Sequence, residues 1–169
     1  MSAVRYAYPK LRLAEQLKAP GGRPVVEALQ AAQKNLDEIR PQCLDELRAL
    51  TAEALACFAG FTQAFSAQRL EALYAIAAGG VGLGKLCGTP EADTTLVSLC
   101  GLLDHLCASG RWDREAVAVH VQTLQLLALG AGRRLDPAAA DQILSGLKKV
   151  SARYAHLAGL HAPGTGEPG

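Results

Sequence analysis

The chain has 169 residues, half of them apolar, which is enough for one domain with a real core and too few for several. Seventeen Lys and Arg against sixteen Asp and Glu leave a formal charge of +1, which argues against nucleic acid as a partner, since that affinity rests on neutralising phosphates. No apolar run reaches the roughly eighteen residues of a membrane span, and "MSAVRYAYPKLRLAEQ" has no apolar leader core, so no membrane insertion and a cytoplasmic location are expected.

Residues 1–24 read as a basic N-terminal arm. Tyr6, Tyr8 and Pro9 indicate an extended start, "KAPGGRP" is a turn cluster, and Arg5, Lys10, Arg12, Lys18 and Arg23 outnumber Glu15. The arm is either a solvated strap on the rest of the domain or a docking element for an acidic partner or a second subunit. After Pro24 the apolar residues Val25, Leu29, Ala32 and Leu36 recur at helical spacing. Pro41 reads as the first turn of a second helix, with Cys43, Leu47, Leu50, Ala54, Phe58 and Phe61 as its stripe. Ser66 is the expected cap of a third helix, and Thr89 with Pro90 starts a fourth. On that fourth helix Leu96, Leu99, Cys100, Leu103 and Cys107 share a face. Asp113 caps a fifth, which faces the core with Val117, Val121, Leu124 and Ala128. Asp136 and Pro137 open a sixth, with Ile143, Leu147, Val150, Tyr154 and Leu157 inward. The tail 161–169 has no core-forming residues and is expected to be disordered. Strand and hairpin signals are nearly absent, so the expected fold is all-α, an antiparallel helical bundle over 25–160.

The stretch "LYAIAAGGVGLGKLCG" (73–88) sets four glycines within six residues. Each costs a helix roughly 0.5–1 kcal/mol relative to alanine. Helical spacing on both sides predicts one continuous helix through them. At 100° per residue, Leu70, Leu73, Ala77, Gly80 and Gly84 fall on the core side. Ala75, Ala78, Gly79, Gly82 and Leu86 fall on the other, with Lys85 beside them. A solvent face is normally charged, so this smooth strip implies that another backbone packs on it. That backbone belongs either to a partner or to the chain's own arm or first helix.

The same residues resemble the histidine-phosphotransfer (HPt) motif, "H-x-x-K-G" on a helix of a helical bundle. Laid on it without gaps, Ala78 takes the phosphoacceptor position, Val81 the lysine and Gly82 the glycine. The resemblance extends to the CheE-type chemotaxis accessory proteins of alphaproteobacteria through "LKAPGGRPVVEAL", "SLCGLLDHL", "AVAVHVQTLQLL" and "GLKKVSARYA". It implies an HPt-like four-helix core with additional helices. The implied partner is the receiver domain of a response regulator or a chemotaxis histidine kinase. A methyl group at Ala78 cannot carry phosphate, so what it implies is a docking surface without the phosphate carrier. The partner-binding residues are then Ala75, Ala78, Gly79, Gly82, Lys85 and Leu86.

Two alternatives stand beside this non-catalytic reading. His105 lies about 160° from the fourth helix's apolar stripe, among Gly101, Ala108 and Ser109, so it is expected to be exposed and is the candidate phosphoacceptor of an active phosphotransferase. In a homodimeric scaffold the smooth strip pairs with itself or with the basic arm; Val119 and Leu126 also make the fifth helix apolar nearly all round, so that helix is either central or the face of a C2 homodimer. His120 reads as a packed, hydrogen-bonded core histidine, and His156 and His161 carry no signal. No serine has a histidine and an acid near it in any motif, so no enzyme constellation emerges. The five cysteines lack zinc spacing and read as small buried hydrophobes in a reducing compartment, and neither a metal nor a cofactor is expected.

Overall fold

The computed structural model describes residues 21–22, 24–61, 65–131 and 136–159, without the side chains of 155–159. Most of the basic arm and the tail from 160 lie outside the described residues, as do the side chains of His156 and Leu157. The described residues are all-α: α1 (Val25–Ala59), α2 (Ala67–Gly79), α3 (Leu83–Cys87), α4 (Pro90–Ser109), α5 (Arg114–Gly130) and α6 (Pro137–Gly159). The chain divides into two compact units, residues 1–37 and 38–169, and the division falls within α1.

The expected break at Pro41 does not occur: α1 runs through it. A proline inside a helix has no N–H for the carbonyl four residues back. Pro41 sits on an exposed side, where water can serve that carbonyl instead. The carbonyl belongs to Asp37, and Asp37 is also the last residue of the first unit. Within that unit Val25, Leu29 and Leu36, which recur at helical spacing, are exposed, as is Val26. Periodicity marks an apolar face but does not say what covers it.

In the second unit the centre is α4, which packs against α2, α3, α5 and α6. Ala92, Leu96, Leu99, Leu102, Leu103 and Leu106 are all buried, so its apolar surface extends well beyond a single stripe. α5 is therefore not the central helix. Its Val117, Val121, Leu124 and Ala128 are buried, while Val119, Leu126 and Leu129 stay exposed. From α1, Leu47, Ala54 and Phe58 enter the core, followed by Phe61. Phe61 stacks on Trp112 at 4.7 Å between ring centroids, and the Arg114 guanidinium lies 5.0 Å over Phe58. Asp113 caps α5 as expected, accepting from the Ala116 N–H at 2.9 Å. Its other oxygen accepts the Tyr154 hydroxyl of α6. Ser66 and Thr89 occupy cap positions but make no side-chain capping bond.

The glycine stretch is not one helix. α2 ends at Gly79, and the Gly80, Val81 and Leu83 N–H groups bond three residues back, to Ala77, Ala78 and Gly80. Gly82 then turns the chain with φ +104°, and the short α3 begins. The N–H groups of Gly82, Gly84 and Lys85 all donate to the Asp93 carboxylate, each at 2.9 Å. Asp93 lies in the first turn of α4 and is 6% exposed. What approaches the glycine backbone is thus α4 itself. A Cβ on Gly84 would stand 2.6 Å from the Thr89 carbonyl oxygen and 2.9 Å from the Asp93 N atom. At Gly80 a Cβ would meet Leu50 of α1 at 2.8 Å, so α1 covers part of the core side. Gly79 and Gly82 have open space around them.

The glycines therefore differ in what they tolerate. Gly84→Ala, which presses on fixed backbone, and Gly82→Ala, which strains a positive φ, are each expected to cost about 1–3 kcal/mol. Gly79→Ala should be neutral or stabilise by up to about 1 kcal/mol. At this size each kcal/mol moves Tm by about 2–4 °C. Thermal melts of the three variants check the order. Equal melting points at all three would mean a continuous helix after all.

Candidate functional site

Two grooves flank α4, and each is assembled from the elements just described. The first is lined by Val81, Gly82, Lys85, Asp93, Thr94 and Val97, and has a volume of about 300 Å³. The Asp93 cage shapes it. Three orphan N–H groups at the start of α3 need an acceptor, and a buried carboxylate needs donors. Each therefore satisfies the other, and Gly82 is held at the groove wall with Lys85 beside it. Val81 is 47% and Val97 56% exposed, so the rim is apolar with one ammonium. Of the residues marked from sequence, Gly82 and Lys85 line this groove, and Ala75, Ala78, Gly79 and Leu86 are exposed on α2 and α3. They do not form one straight helical strip, because the helix that would align them ends at Gly79. The motif positions Val81 and Gly82 likewise fall in the turn rather than on a helix.

The second groove lies between α4 and α6. Ser98, Gly101, Leu102 and His105 of α4 face Ser151 and Tyr154 of α6, around a volume of about 350 Å³. His105 is not exposed as expected. It is half-buried, with its ring edge-on to Tyr154 at 6.0 Å. The sequence pattern placed His105 opposite the α4 stripe but could not show that α6 packs on that side.

Behind Ser98 stands His120 of α5, fully buried. Its Nδ1 lies 2.8 Å from the Ala116 carbonyl, its Nε2 lies 3.0 Å from Ser98 Oγ, and Ser98 Oγ lies 2.8 Å from Ser151 Oγ. A carbonyl only accepts, so Nδ1 carries the proton and Nε2 offers a lone pair. Ser98 then donates to His120, and Ser151 donates to Ser98. This is a directed chain from the groove into the core. Elsewhere on these helices Thr51, Thr94, Thr95 and Ser109 bond back to their own helix carbonyls, as helical hydroxyls commonly do. Ser98 and Ser151 instead reach across helices. The burial expected of His120 is present. Its pairing with Ser98, twenty-two residues away, has no sequence signal.

Burial pushes the His120 pKa below its ordinary value, against the opposing pull of the Ala116 carbonyl. Tyr154 is pushed up to about 12 by burial and by the bond to Asp113. Asp113 is also penalised by burial, yet the bonds from Tyr154 and from backbone N–H groups outweigh that and hold it below the usual carboxylate range. Burial raises the thiols of Cys57, Cys87 and Cys100, so none of these is a thiolate at neutral pH. All five cysteines are free. Among the described residues no group of three or more His, Cys, Asp or Glu is placed to hold a metal ion. No helix there is long and apolar enough to cross a membrane.

Compared with known protein families, curated proteins and solved structures, the chain matches none.

The His120 shift fixes the sign of a pH effect. Above about pH 6.5 the imidazole is neutral in both folded and unfolded chains, so it adds no pH dependence. Below that, the unfolded chain takes up a proton that the folded core resists. Stability should then fall with pH, by at most about 1.4 kcal/mol per unit from this group, and level off below the folded pKa. Urea midpoints between pH 7.5 and 5 should show this decline, and His120→Gln should lessen it. An identical slope in that variant would remove His120 as the source.

Proposed function

We propose that this domain is a cytoplasmic, non-catalytic docking module of a bacterial chemotaxis or two-component phosphorelay. In this reading the glycine turn binds the receiver domain of a response regulator, with a chemotaxis histidine kinase as the other candidate partner. The observation that carries it is the first groove. Val81, Val97, Gly82 and Lys85 make an open apolar rim with one cation, and the α2 residues leading to it, Ala75, Ala78 and Gly79, have almost no side chain to obstruct a partner. The resemblance of "AAGGVG" to a phosphotransfer motif gives the partner class. The methyl group at Ala78 leaves docking without a phosphoryl carrier. Such a module acts by occupying the receiver, or by binding its phosphorylated and unphosphorylated states with different affinity.

A homodimeric scaffold is the second reading. Leu126 is 65% and Leu129 72% exposed on the same helix as the exposed Val119, an apolar side with room for a second copy. Phosphotransfer through His105 is the third reading: the half-buried ring is edge-on to Tyr154 and lines the groove between α4 and α6.

Titration calorimetry with the host's chemotaxis receiver domains tests the first reading. Ala78→Arg and Lys85→Glu alter exposed positions, so Tm should stay near that of the unaltered protein. Affinity should fall about tenfold or more, equivalent to about 1.4 kcal/mol. Receiver affinity unchanged by both substitutions would place the contact elsewhere. A dimer mass in light scattering that Leu126→Glu reduces to a monomer would favour the scaffold.

A further inference from the structure

The geometry points to Ser98 as a base-assisted nucleophile that takes an acyl group from small activated carboxylic esters entering the groove between α4 and α6. Four observations converge on it. Ser98 and its hydrogen-bond partner Ser151 both line the groove. Its hydroxyl forgoes the usual bond to its own helix and donates to His120 Nε2 at 3.0 Å. His120 is fixed in the required tautomer by the Ala116 carbonyl, the orienting role that a third group fills in a nucleophile–histidine pair. Ser151, 2.8 Å from Ser98 Oγ, supplies a hydroxyl that can turn from Ser98 to the oxygen of an acyl group under attack. This site uses α4 residues other than those of the docking groove, and the inference does not rest on the docking reading.

Ser98 Oγ forms a bond to the carbonyl carbon while its proton passes to His120 Nε2. The tetrahedral oxyanion takes the hydrogen bond of Ser151. The carbon–oxygen bond to the phenol breaks, and the departing phenoxide receives the proton from His120. Ser98 is left as its ester. The groove's volume of about 350 Å³ admits a small aryl ester, and Gly101, one turn along α4 from Ser98, presents no side chain at that point. Burial and the Ala116 carbonyl are the influences on His120, and burial keeps the imidazole neutral and able to accept a proton below the ordinary histidine range. The other titratable groups lining the groove are His105 and Tyr154, the latter engaged with Asp113.

The probe is p-nitrophenyl acetate, with the full chain analysed by peptide mass spectrometry. One acetyl group on Ser98 is expected, formed with a burst of nitrophenol. In the unaltered protein the rate of labelling at Ser98 should rise with pH and become level by about pH 6.5, the ordinary histidine value. His120→Gln should slow labelling by about a hundredfold or more, the scale of a lost general base. Ser151→Ala should slow it by at least about tenfold, less than a full oxyanion donor because the group must turn to reach its position. Ser98→Ala should remove this adduct and leave any surface lysine adducts. Absence of label on Ser98 overturns the proposal. So does a Ser98 rate that keeps rising through pH 9, which means unassisted attack, and that measurement needs no variant to fold.

Discussion

A carboxylate with three backbone donors organises the middle of this protein. Asp93 is nearly excluded from water, and an ionised side chain there needs hydrogen bonds to replace hydration. The Gly82, Gly84 and Lys85 N–H groups supply them, and hydrogen bonds to charged groups are worth about 1.5–3 kcal/mol each. All three N–H groups turn to Asp93 instead of continuing one helix, and α2 ends at Gly79 despite helical spacing on both sides. The same contact leaves no room for a side chain at Gly84 and requires a positive φ at Gly82. One interaction thus determines where α2 ends, where α3 begins and which residues line the first groove.

Because that carboxylate belongs to the first turn of α4, the central helix is fixed at its start to the glycine turn. Further along, the Ser98 bonds tie it to α5 and α6. The α4 residues that line cavities fall into two sets: Asp93, Thr94 and Val97 towards the first groove, and Ser98, Gly101, Leu102 and His105 towards the second. The grooves are therefore consequences of how α4 is covered, with α3 forming one wall of the first and α6 one wall of the second.

What could be read from sequence followed from local rules. The helical starts after Pro24, Ser66, Thr89, Asp113 and Asp136, the buried Leu96, Leu99 and Leu103 of α4 and the buried stripe of α5 need only periodicity and capping, whereas Cys100 and Cys107 of the expected α4 stripe are only half-buried. The errors lie where a distant residue decides. Pro41 looks like a start because proline favours a first turn, yet it lies at an exposed position inside α1. The glycines look continuous until Asp93 is seen to draw their N–H groups away. His105 looks open until α6 packs beside it. Ser98 looks like any helical serine, because nothing near it in the chain announces His120. The chemistry of both grooves depends on such distant pairs, and a single sequence records none of them.

The resemblance to a phosphotransfer motif and the folded turn bear on each other. In the motif as stated, a histidine and the glycine four residues later share one helix, so the glycine clears the approach to the imidazole. In this chain Ala78 is near the end of α2, while Gly82 lies beyond that end at φ +104° with its N–H held by Asp93. The departure is therefore double. Position 78 carries a methyl group where the motif has its nucleophile, and Gly82 is the hinge of a turn where the motif has a glycine on the same helix. Replacing the methyl group with an imidazole would repair the first and leave the second. The exposed surface around 78–82 is thus shaped by the demands of the Asp93 cage, and any partner that docks there meets a turn with an apolar rim and a single lysine.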